Sequence, residues 1–205
     1  MATCGFYGKL PGEGDFVTRR LPWEFTSAWD GWLQQGMQAS RGALGERWLN
    51  LYLSAPIWRF QLAPGVCGPL AWRGLFFASV DRVGRYFPLT LAFAGGSAAS
   101  PGGVASALAG DAAGWLAAED AALAGLAPRL PLDDFDRALQ ALAEPAAEPA
   151  DACPPAAVHL YCAGSDEAPP LRLAFPALPP AAQFTELISP SAPPPSSSLL
   201  DTLAS

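Results

Sequence analysis

The chain has 205 residues, 51% of them apolar, a formal net charge of −7 and one histidine. That length and apolar share fit one domain with a substantial core, and the acidic balance argues against a general surface for nucleic acid or anionic lipid. No apolar run approaches the roughly eighteen residues of a spanning helix, and the N-terminus lacks the basic and apolar regions of a leader, so the expectation is a cytoplasmic protein.

The stretch GFYGKLPGEGDF, residues 5 to 16, sets Lys9 among four glycines and raises the question of a phosphate-binding loop. Such a loop has the order GxxxxGK[ST], with its glycines ahead of the lysine and a hydroxyl behind it. Here Leu10 follows Lys9, Pro11 removes an amide donor, and Gly12 and Gly14 come after the lysine. The spacing excludes a nucleotide site. It reads instead as a strand from Cys4 to Leu10 that turns through Pro11, Gly12, Glu13 and Gly14.

From Pro22 to Arg41 the period is helical, with Phe25, Trp29, Trp32, Leu33 and Gly36 on one face. Pro22 suits its first turn and Gly42 the position just past its end. A second helix carries Leu44, Trp48, Leu51 and Tyr52 and stops before Pro56. Ile57 to Ala63 alternates apolar and polar residues as a strand does. Leu75 to Val80 and Tyr86 to Ala94 read as adjacent antiparallel strands joined through Asp81–Gly84, and Pro88 fits an edge or a bulge.

Gly95 to Gly103 is a small-residue loop. A helix is expected over Asp111 to Leu126, burying Trp115, Leu116, Leu123 and Leu126, and another over Asp134 to Leu142. Glu144 to Pro155 carries four prolines and reads as a loop, Val158 to Ala163 as a strand and Ala181 to Ile188 as a last short helix. The expected organisation is one domain over residues 1–188 and a Pro/Ser-rich disordered tail over 189–205.

Little of this points to catalysis. His159 lies between apolar neighbours in a strand, with Cys162 three residues on but no nucleophile-elbow or protease signature around it. Cys4, Cys67, Cys153 and Cys162 form no CxxC pair and read as free thiols. Asp133, Asp134 and Asp136 with one histidine do not make a metal site. The expectation is a protein that is not an enzyme and takes no cofactor or metal.

Several segments in fixed order carry a resemblance: GFYGKLPGEGDFVTRRLP, FTSAWDGWLQQGMQASR, LGERWLNLYLSAPIWRFQLAPGVCG and SVDRVGRYFPLTLA. Together they are similar to the TagF family of type VI secretion accessory proteins, from Gly5 to Ala94. The second half is looser. VHLYCAGS, Val158 to Ser165, stands for the family's tryptophan-bearing strand, Ala78 stands where a proline often precedes SVDR, and Leu178 to Ile188 resembles the closing element. The resemblance implies a single α/β (α+β) domain with an antiparallel sheet covered by helices, longin- or SNARE-like. It also implies a bacterial cytoplasmic repressor that acts after translation through the forkhead-associated (FHA) scaffold protein of the system. Some members are fused to a phosphatase domain, and the expectation is that any phosphatase is separate from this chain.

A non-catalytic assembly adaptor of the same apparatus is the alternative. Lys9, Asp15, Arg19 and Arg20 flank the first turn, and Asp81, Arg82 and Arg85 the second. The two turns are expected near each other at one end of the sheet, where their arginines offer planar donors to an acidic or phosphorylated partner. The competing structural reading has Asp15 or Asp81 accept bonds from Arg85 and pin the strands.

Overall fold

The computed structural model describes residues 3–95, 112–145, 156–164 and 170–190. Most of the expected loop after Gly95, most of the proline-rich loop before Pro155, Cys153, and the expected tail from residue 191 lie outside them.

Seven antiparallel strands form one sheet: β1 (Gly5–Gly8), β2 (Val17–Arg19), β3 (Trp58–Leu62), β4 (Trp72–Phe77), β5 (Leu89–Ala94), β6 (Val158–Cys162) and β7 (Leu171–Phe175), in the order β2-β1-β5-β4-β3-β6-β7. On one face lie α1 (Trp23–Leu44), α2 (Trp48–Leu53) and α5 (Phe184–Ile188), with Phe25, Trp29, Trp32, Leu33, Tyr52, Trp58 and Phe60 in the core between. The other face is covered by α3 (Ala112–Ala124) and α4 (Leu132–Gln140), whose Ala118, Ala122, Phe135 and Leu139 pack on Phe6, Leu75, Leu91 and Phe93. This is the expected antiparallel sheet covered by helices.

The first layer is held by aromatic packing in which most buried ring N–H and O–H groups find partners, Trp72 Nε1 being an exception. Trp29 is fully buried and donates its indole N–H to Thr90 at 2.9 Å. Trp32 donates to the Pro179 carbonyl at 2.9 Å and Trp58 to the Leu187 carbonyl at 2.8 Å, so two indoles clasp the closing segment. At the same seam Gly36 lets α1 approach α5, since a Cβ there would stand 2.3 Å from the Phe184 ring. Gly36→Val is therefore expected to cost about 1–3 kcal/mol by overpacking, read as a lower denaturation midpoint with an unchanged m-value.

Several expectations need correction. α1 runs through Gly42 and ends at Gly45, whose positive φ of 53° a residue without a Cβ adopts readily. Trp115 is buried as expected, but Leu116 and Leu123 are exposed and Leu126 only half-buried, and Ala118 and Ala122 are buried in their place. The α3 residues are mostly alanine, so the apolar side chains mark no single face. The polar positions of β3 are not solvated: Arg59 and Gln61 are buried beneath α3, with Arg59 Nε 2.6 Å from Glu119. Strands β2 and β7 were not expected.

Candidate partner-binding site

β4 and β5 form one long hairpin. Beyond the regular pairing, the ladder continues through the Val80–Tyr86 bridge and an Asp81 N–H to Arg85 carbonyl bond of 3.0 Å. Its tip is Arg82, Val83 and Gly84, closed by Gly84 N–H donating to the Asp81 carbonyl at 3.0 Å, with Gly84 at φ 86°. A glycine in the left-handed region ends a three-residue hairpin loop at no steric cost.

Asp81 sits at the base of that tip with its side chain wholly buried. Oδ1 accepts the N–H groups of Val83 at 3.0 Å and Arg85 at 2.8 Å. Oδ2 accepts Lys9 Nζ at 2.6 Å and Arg85 Nε at 2.7 Å. Burial acts to raise the Asp81 carboxyl, but the bonds from Lys9, Arg85 and Val83 overcome it and hold the group well below the usual carboxylate range.

These contacts join the two turns. The Arg82 N–H donates to the Glu13 carbonyl at 2.8 Å, and Arg85 Nη2 donates to the Gly14 carbonyl at 2.5 Å and lies 4.0 Å from Asp15. Ser79 Oγ donates to the Lys9 carbonyl at 2.7 Å, and Tyr52 of α2 bonds both the N–H and the carbonyl of Ser79. The core helices therefore set the position of the knot.

The structure divides the seven residues marked in the sequence. Lys9, Asp15, Asp81, Arg82 and Arg85 come together. Lys9 and Asp81 are buried, whereas Arg82 and Arg85 reach the surface. Arg19 lies opposite Phe6 on β2, two residues beyond the Val17–Gly8 pair that adjoins the knot. Arg20 turns away to α4, where Nη1 meets Asp136 at 2.5 Å while Nε bonds the Cys4 carbonyl. The sequence reading passed over Phe16 and Val83, which are 42% and 65% exposed beside the arginines. Phe16 stacks on Tyr7, meets Phe87 edge-on and has Lys9 Nζ 4.8 Å from its ring centre, so the ring is held in place while part of the residue stays exposed. An aromatic ring, an aliphatic knob and two guanidinium groups on a rigid base have the composition of an interface centre.

The other candidates fall apart on geometry. His159 and Cys162 are an odd number of residues apart on β6 and point to opposite faces of the sheet, so they cannot act on one atom. His159 is buried opposite Gln61, and burial holds its pKa below the ordinary value against a backbone bond at Ala156. The Cys4 and Cys67 thiols are each pushed up to about 12 by burial, which leaves them poor nucleophiles. Of the acidic run, Asp134 pairs with Arg137 and Asp136 with Arg20. No helix among the described residues is long and apolar enough to cross a membrane.

The fold and the joined turns thus define a mixed α+β domain that presents a stiffened hairpin tip. Residues 5–142 match the TagF N-terminal domain, described as type VI secretion system-associated. That span covers well over half of the 205 residues, and the chain belongs to this family. It is also similar to the crystal structure of PA0076 from Pseudomonas aeruginosa PAO1, with a TM-score of 0.78 and 34% identity over 91% of this chain and 94% of that one. No curated protein matches the sequence.

Proposed function

We propose that this chain is a non-catalytic, cytoplasmic negative regulator of type VI secretion that acts after translation by binding the FHA scaffold protein of the system. The observation that carries the reading is the family match over residues 5–142, which contains both turns and every residue of the hairpin knot. Arg82, Val83, Arg85 and Phe16 form the contact surface in this reading, and Lys9 and Asp81 hold it in shape. Arg19 and Asp15 belong to its rim. Arg20 acts from beneath, through its pair with Asp136. Neither nucleic acid nor bilayer is a partner.

Deleting and overproducing the gene tests this directly, with secretion of the system's tube protein as the readout. A repressor's loss raises secretion and its excess lowers it. A non-catalytic assembly adaptor, the second reading, gives the opposite deletion phenotype, because secretion is then abolished. Unchanged secretion on overproduction would refute the repressor.

A further inference from the structure

Among the described residues the sheet ends in two edge strands, β2 and β7. They are unequal. β2 has three residues and carries the exposed Arg19, features that discourage pairing with another chain. β7 has five, Leu-Arg-Leu-Ala-Phe, with Pro170 and Pro176 on either side. Leu171, Leu173 and Phe175 are half-buried against the aromatic core, while Arg172 and Ala174 are exposed on the opposite face. The Arg172 guanidinium does not guard the edge, because it lies 5.3 Å over the Tyr161 ring of the neighbouring strand. The Phe175 carbonyl points inward, accepting the Ala157 N–H at 3.0 Å. Inward and outward backbone groups alternate along a strand, so Arg172 and Ala174 turn theirs outward. Neither residue has a hydrogen bond on that outer side among the described residues.

From this edge we infer that two copies of the chain pair antiparallel through β7 about a two-fold axis at Leu173. The segment is self-complementary in that register. Leu173 meets Leu173 of the second copy, Leu171 meets Phe175 on each side, and Arg172 faces Ala174 on each side. Apolar side chains continue one row across the seam, the outward N–H and carbonyl groups of Arg172 and Ala174 satisfy each other, and no like charges stand opposite. Centring the axis on Arg172 instead would set the two arginines against each other. The flanking prolines confine pairing to these five residues, and the short, charged β2 edge stops further growth, so the assembly closes as a dimer.

Five residue pairs make a small seam, so association is weak and depends on concentration. Sedimentation equilibrium from about 10 µM to about 1 mM should show a monomer–dimer equilibrium. Ala174→Glu places a carboxylate opposite Arg172 at two symmetric sites and should tighten the dimer about tenfold, whereas Ala174→Arg should weaken it about tenfold. Ala174→Pro removes the outward N–H and should leave monomer. Because Ala174 is exposed in the single chain, the Glu and Arg variants should melt as the parent does. A parent that stays monomeric throughout, or Glu and Arg variants that associate alike, would overturn the proposal. So would a monomer whose capture of a different protein is lost on Ala174→Pro, since the edge would then belong to that protein. The secretion phenotype has no bearing on any of these outcomes.

Discussion

Asp81→Asn should lower the melting temperature by roughly 10 °C at pH 7, because it leaves Lys9 buried without its counter-charge. Lys9 is 4% exposed and its Nζ lies 2.6 Å from the carboxylate. The amide keeps an acceptor for the N–H groups of Val83 and Arg85 but carries no charge for Lys9 or the Arg85 guanidinium, so the variant isolates the ionic part. Lys9→Met with Asp81→Asn should be less damaging than the sum of the two single changes, since the stranded cation is gone. The effect is tied to pH. The Asp81 carboxyl is depressed in the folded state, so its stabilisation is complete above about pH 5 and is lost as the pH falls through the ordinary carboxylate range towards the folded value. Calorimetry at pH 7, about pH 4 and about pH 2 should therefore show the gap between parent and Asp81→Asn nearly intact at pH 4 and closing only in stronger acid. A variant that melts with the parent at pH 7 would show that the pair does not hold the turns.

What the sequence discloses here is local. The α1 stripe was legible because Phe25, Trp29, Trp32 and Leu33 fall on one helical face over several turns, and β4 and β5 in part because the apolar runs Leu75 to Val80 and Tyr86 to Ala94 overlap them, although β4 begins at Trp72 and carries Arg73. Strand β2 has three residues and offers no period to read. In β7 the alternation is present but lies between prolines, which read as loop. The exposed Leu116 and Leu123 were misplaced because alanine fills the positions that face the sheet, and alanine is counted as apolar on any side. The site was half-legible. Both turns stood out as polar stretches between apolar runs, and the Asp81–Arg85 contact spans only four residues. Lys9 and Asp81 are 72 positions apart, and Arg59 and Glu119 are 60 apart. Those pairings exist only because β1 lies beside β5 and α3 covers β3. Burial is likewise set by topology: it makes Lys9 a structural cation while Arg82, in a similar sequence setting, stays at the surface.

Arg82→Glu should abolish or severely weaken binding of the FHA protein, by tenfold or more, while leaving the domain soluble and its melting temperature close to that of the parent. The Arg82 N–H bond to Glu13 comes from the backbone and survives the change, and the guanidinium lies against Gly14 without a side-chain hydrogen bond or ion pair among the described residues. A central interface arginine contributes planar donors that a carboxylate repels, and reversal at such a position commonly costs more than truncation. Val83→Asp should act in the same direction, because Val83 is 65% exposed at the tip and adds apolar area there. Arg19→Glu is a separate test, since Arg19 lies two residues along β2 from the knot, about 7 Å away. If the contact is centred on the hairpin, that change weakens binding only modestly, mainly through the association rate, and its effect fades as salt is raised. Titration calorimetry of each variant with purified FHA protein, beside a melting curve, decides the matter. Normal affinity in Arg82→Glu and Val83→Asp would place the contact elsewhere on the domain, and a misfolded Arg82→Glu would mean that its guanidinium helps to hold the knot together.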